Sequence, residues 1–188
     1  MARRAGLAFA AVLLLAGCSS AQPPQPLDTA KLPAIRLNVQ SVETASKAQY
    51  ASDLNFIARR RSEQLANDAL GYLRERVQAA GGTEFARATV VEASLIDRAR
   101  AKTGGMLSLE PGREMVGVLA LRLVVVDGFG IEGASATARV QIIRPLSDSA
   151  GVETKDAAAR QLANDLVQQA GAELEKSARQ NLGSYLAP

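Results

Sequence analysis

Cys18 is the only cysteine in the chain, and there is no histidine. Those two counts remove most catalytic constellations. Without an imidazole there is no Ser-His or Cys-His pair, and no histidine-based zinc site. A Ser-x-x-Lys nucleophile needs a serine three residues before a lysine, and those positions hold Asp28, Thr44, Ala99, Val152 and Glu173. Gly133-Ala134-Ser135-Ala136-Thr137 lacks the second glycine of a nucleophile elbow. Carboxylate pairs stay open, but nineteen acids scattered along the chain describe a solvated surface. The expectation is a non-catalytic protein with neither metal nor cofactor.

Gly128, Gly130 and Gly133 spell G-x-G-x-x-G directly after an apolar run, the pattern of a phosphate-cradling loop. Such a loop needs a helix behind it, because the helix N-terminus supplies the anion-binding amides. Here Ala134, Ala136, Ala138, Val140 and Ile142 alternate with Ser135, Thr137, Arg139 and Gln141. That is the period of a strand. Asp127-Gly128-Phe129-Gly130 therefore reads as a hairpin turn, where glycine permits positive φ. No nucleotide is expected.

Cys18 has a different context. Arg3 and Arg4 open the chain, an apolar stretch runs from Leu7 through Ala16, and small residues lead to the cysteine. The plan is that of a secretory signal peptide, too short for the ~20 apolar residues of a membrane span. Leu15-Ala16-Gly17-Cys18 resembles the lipobox of bacterial lipoproteins. The resemblance implies cleavage before Cys18 and acyl chains on its thiol, several of which together hold a protein durably on a bilayer. Ser19 after the cysteine implies outer-membrane delivery, with the domain facing the periplasm and inner-membrane retention as the other outcome. Residues 1–17 are thus expected to be the signal peptide. Residues 18–34, with Pro23, Pro24, Pro26 and Pro33, are expected to be the acylated cysteine and an extended tether.

The rest is one ordinary domain, 35–188, with 4% aromatic residues and no tryptophan, so its core must be aliphatic. Net charge is +3; without Arg3 and Arg4, twenty basic residues face nineteen acidic ones. That mixed surface lacks the concentrated positive charge of a nucleic-acid binder.

Six elements are expected to build the domain. Ile35, Leu37 and Val39 alternate with polar residues as a strand. A polar connection leads to a helix from near Ser62, carrying Leu65, Ala69, Tyr72, Leu73, Val77 and Ala80 and stopped by Gly81-Gly82. Residues 85–96 and 115–126 read as β-branched strands, and the strand after Gly133 should end at Pro145. A terminal helix then repeats Leu162, Leu166, Ala170, Leu174, Ala178 and Leu182 every four residues, a stripe that winds and could carry its later part off the sheet. The order β-α-β-β-β-α predicts an α+β fold: a four-stranded, mainly antiparallel sheet with two helices on one face. Behind a lipobox, that order resembles small envelope lipoproteins of the lipopolysaccharide-assembly and ABC-transport-auxiliary types.

The function expected is that of a membrane-anchored accessory or scaffold in envelope assembly or transport, held by Cys18 and docked on a protein partner. The candidate contact is the 98–113 loop, where Arg98, Arg100, Lys102 and Arg113 flank Met106, Leu107 and Leu109. The alternative is a lipid or small apolar ligand in a cavity left by Ala134, Ala136 and Ala138.

Overall fold

The computed structural model describes residues 27–32, 34–50, 52–100 and 112–187. Cys18, Lys102, Met106, Leu107 and Leu109 lie outside the described residues.

Three long strands form the backbone of the sheet: β4 (Phe85–Ala99), β5 (Arg113–Val126) and β6 (Glu132–Leu146). They pair antiparallel in that order, and β2 (Ser41–Ser46) adds to β4 in parallel, giving the order β2-β4-β5-β6. Helices α1 (Phe56–Arg76) and α2 (Val152–Asn181) cover one face, α1 over β2 and β4, α2 over β5 and β6. The sheet is mixed but mostly antiparallel, as expected. No helix of the described residues is long and apolar enough to cross a membrane.

The glycine-rich hairpin forms between β5 and β6. Asp127 N–H donates to the Ile131 carbonyl at 3.0 Å, and the Asp127 carboxylate accepts from Phe129 and Ile131 N–H at 2.9 and 2.8 Å. Gly130 sits at φ +82, the left-handed region that glycine reaches without strain. A strand follows the glycines, so no helix N-terminus faces this loop.

The sheet's first strand is not the one expected. Ile35, Leu37 and Val39 are buried on alternate positions, but only Ile35–Leu37 form a strand, β1, paired parallel with β3 (Val77–Ala79) in a separate two-stranded ladder. The C-terminal segment closes the other side of β1, with Asn38 N–H donating to Tyr185 and Ala187 N–H to Arg36. The main sheet's edge is instead Ser41–Ser46, read from sequence as connection because an edge strand with polar side chains buries too little to alternate.

Helix α1 begins at Phe56, not near Ser62. The Asn55 side chain accepts from Ala58 N–H at 2.9 Å and so caps the first turn. The helix ends at Arg76, before Gly81-Gly82, because Val77 enters β3. Val77 is therefore buried in a strand, and Ala80 is exposed. Gly82 is fixed by closer packing: at φ +123, a Cβ there would lie 2.3 Å from the Asn38 carbonyl oxygen.

Ser62, on the buried face of α1, joins helix to sheet. Its hydroxyl donates to the Ala58 carbonyl at 2.8 Å and accepts from Leu95 N–H at 2.9 Å. The β2 ladder ends at Val90, so this strand amide has lost its neighbour and the hydroxyl replaces it. Ser62→Ala would bury an unpaired N–H, and chemical denaturation is expected to show a loss of about 1–3 kcal/mol.

Helix α2 keeps its whole stripe on this domain. Leu162, Leu166, Ala170, Leu174, Ala178 and Leu182 are all fully buried, contrary to the expectation that the later part would leave the sheet. A twisted sheet turns beneath the helix, so a stripe that winds can follow it. Gly117 makes the approach possible, since a Cβ there would lie 2.4 Å from Leu166 Cδ1. Ala136 and Ala138 serve the same contact and are covered by α2, so these alanines are packing surface and leave no cavity of the kind the alternative reading places there. Strand β6 also runs through Pro145 to Leu146, because an edge strand tolerates a residue without N–H.

Candidate functional site

The loop chosen from sequence divides once folded. Both hairpin strands extend farther than expected, and Arg98 and Arg113 become strand residues. Arg98 pairs with Glu114 and Arg113 with Asp97, each at 2.8 Å, while Lys155 reaches Asp97 at 3.6 Å. Those cations are largely answered by the domain's own acids. Arg100 is exposed and donates its backbone N–H to the Gly112 carbonyl at 2.6 Å.

A second feature arises where sequence reading saw a connection. The two helices run parallel: Arg61 pairs with Asp156 near their starts at 2.5 Å, and Tyr72 meets Gly171 farther along. At Gly171 the contact is tight, with the Tyr72 hydroxyl donating to the Gly171 carbonyl at 3.3 Å. Burial pushes that phenol up to about 12, with Glu175 adding to the rise. Nearer their starts the helices leave a groove of about 580 Å³. The reason lies in side-chain size: α2 turns its leucines to the sheet and lines this gap with Ala159 and Ala163.

Leu95 contributes the fully buried part of the lining, and Leu27 approaches from the N-terminal segment. Phe56, Ile57 and Val152 also line it while remaining 78%, 56% and 71% exposed, an unusual cluster of apolar surface around two helix starts. Among the polar lining residues are Arg60, Arg61 and Arg160, against Asp68 and Asp156. Arg61 holds Asp156, yet its Nε is buried without a hydrogen-bond acceptor among the described residues. The side chains of Arg60 and Arg160 have no ion-pair or hydrogen-bond partner among the described residues. The polar lining consists of guanidinium groups, carboxylates and side-chain amides.

Desolvation raises Asp68 above the usual carboxylate range. A carboxyl whose folded value is raised binds its proton more tightly folded than unfolded, so its contribution weakens as pH climbs from 3.8 through the folded value. Asp68→Asn is therefore expected to raise Tm at pH 7 and to leave it unchanged near pH ~3. An equal change at both values would show that burial of the charge is not the cause.

The groove could not be read from one segment, because Leu27, Phe56, Leu95 and Val152 come from four distant places. One signal was present: Asn55 as a helix cap, followed at once by Phe56-Ile57 and Arg59-Arg60-Arg61.

No family model and no curated relative matches the chain. Similar solved structures include a minor lipoprotein from Acinetobacter baumannii, 16% identical, covering 84% of this chain and 98% of that one at a TM-score of 0.38. The rare lipoprotein B from Shewanella oneidensis is 14% identical, covering 74% and 94% at 0.41. An uncharacterized lipoprotein B from Nitrosomonas europaea is 17% identical, covering 79% and 88% at 0.42.

Proposed function

We propose that this chain is a bacterial lipoprotein, acylated on Cys18 and held on the periplasmic side of the outer membrane. There it serves as a non-catalytic accessory or scaffold in envelope assembly or transport. The observation that carries the reading is the chain's single cysteine placed at the end of Leu15-Ala16-Gly17-Cys18, behind a charged and then apolar leader.

The folded part supports a short leash. From Leu27 the segment expected to be tether packs on the domain: Leu32 belongs to the core, Leu27 is partly buried against it, and the Thr29 hydroxyl donates to Glu75. Leu27 lies nine positions after Cys18, a reach of about 28 Å at ~3.1 Å per residue for proline-rich backbone. The domain would work close to its bilayer.

In-envelope crosslinking, followed by purification of the intact lipoprotein, is expected to recover a defined assembly of fixed composition. A chain recovered alone under the same treatment would contradict the accessory role.

A further inference from the structure

We infer that the groove between the starts of α1 and α2 binds an anionic lipid of the adjoining membrane, one acyl chain against its apolar walls and the head at Arg60 and Arg160. The inference rests on the membrane-anchored reading above for the source of the lipid, and on the fold alone for the site.

The volume of about 580 Å³ falls among small-ligand pockets, roughly 300–1,000 Å³, which suits one acyl chain with a compact head. The walls are aliphatic and aromatic, and they stay exposed at Phe56, Ile57 and Val152, where solvent contact is unfavourable until something apolar covers them.

Charge selects among apolar occupants. Three arginines face two aspartates in the lining, and one of those aspartates is already committed to Arg61. The guanidiniums of Arg60 and Arg160, without a partner among the described residues, and the Arg61 Nε, likewise without an acceptor there, offer donors suited to a phosphate or carboxylate. Both helices start at this end, so the positive ends of two helix dipoles add to the same field. A neutral acyl ligand would leave those donors unanswered.

Position supplies the source. Leu27 both lines the groove and stands nine residues from Cys18, so anchored acyl chains would hold the opening within about 28 Å of lipid.

The test uses the full lipoprotein in mixed micelles, irradiated with phosphatidylglycerol carrying a diazirine on its acyl chain, with adducts mapped by mass spectrometry. Adducts are expected at Leu95 and along Ala159 to Ala163. Arg60→Glu combined with Arg160→Glu should lower that labelling at least fivefold without altering the circular dichroism spectrum, since both side chains are exposed. The matching phosphatidylcholine probe should label the parent protein far less. Adducts absent from the groove, or confined to Phe56, Ile57 and Val152 as in simple contact with a lipid surface, would overturn the inference. So would equal labelling by both probes with no effect of the charge reversals. Micelle labelling does not require acylation. Groove adducts on a chain with an unmodified Cys18 therefore defeat only the anchor, and an acylated chain without groove adducts defeats only the groove.

Discussion

Gly171→Val is expected to destabilise the domain by about 3 kcal/mol, the upper end of overpacking effects. A Cβ at this position would lie 2.9 Å from Tyr72 Cζ and 3.0 Å from its hydroxyl oxygen. The ring has nowhere to go: Tyr72 is fully buried, and its hydroxyl is tied to the Gly171 carbonyl. Valine's gain in helix propensity over glycine is a few tenths of ~1 kcal/mol, too small to offset the wedge. Gly171→Ala brings the same Cβ against Tyr72 but no γ-carbons, and it gains about 1 kcal/mol of propensity, so it should also lose stability, by less than valine. Denaturant midpoints for the pair separate packing from propensity. A valine variant as stable as the parent would show that the helices are not held together here, and the groove's width would then lack its cause.

Leu123→Ala should cost about 2–5 kcal/mol, toward the upper part of that range. Leu123 is fully buried on the helix-facing side of β5. Its cross-strand neighbours are Ala88 on β4 and Ala136 on β6. Between two alanines, the leucine supplies most of the side-chain volume at this level of the sheet, and neither neighbour can extend into the space it leaves. Collapse would require α2 to sink toward the sheet, which its packing along β5 and β6 opposes. Equilibrium unfolding in urea measures the loss directly. A cost under about 1 kcal/mol would mean that the site relaxes freely and that this layer is loosely packed.

These two sites show where sequence was informative. Strands β4 to β6 are legible because each is long and alternates apolar residues, chiefly alanine, leucine and valine on the covered face, with more polar ones. The hairpin at Asp127 was legible because the strand after Gly133 excluded a phosphate loop. Ser41–Ser46 was not, since an edge strand beside a covering helix needs little hydrophobicity. The start of α1 was hidden for a related reason: Phe56 and Ile57 are apolar but exposed, and they break the core-facing pattern that marks a helix. Their exposure is what makes them candidates for a ligand.

The stripe on α2 carries a second lesson. Its four-residue repeat winds around the helix, and the repeat alone does not say what surface lies beneath. The sheet twists, and Leu162 through Leu182 stay buried throughout. The partner surface expected at 98–113 combines Met106, Leu107 and Leu109 with four flanking cations. Folding places Glu114 and Asp97 opposite Arg98 and Arg113, an arrangement set by hairpin register that linear spacing does not display. Arg60 and Arg160, whose side chains have no ion-pair or hydrogen-bond partner among the described residues, lie on the helices instead.

Mass spectrometry of the N-terminal peptide from cells fed labelled palmitate tests the central claim most directly. The account predicts that the mature chain begins at Cys18 bearing acyl chains, with label incorporation abolished by Cys18→Ser. A mature protein with a free Cys18 thiol, or one that retains the leader through Gly17 with no label, would contradict it.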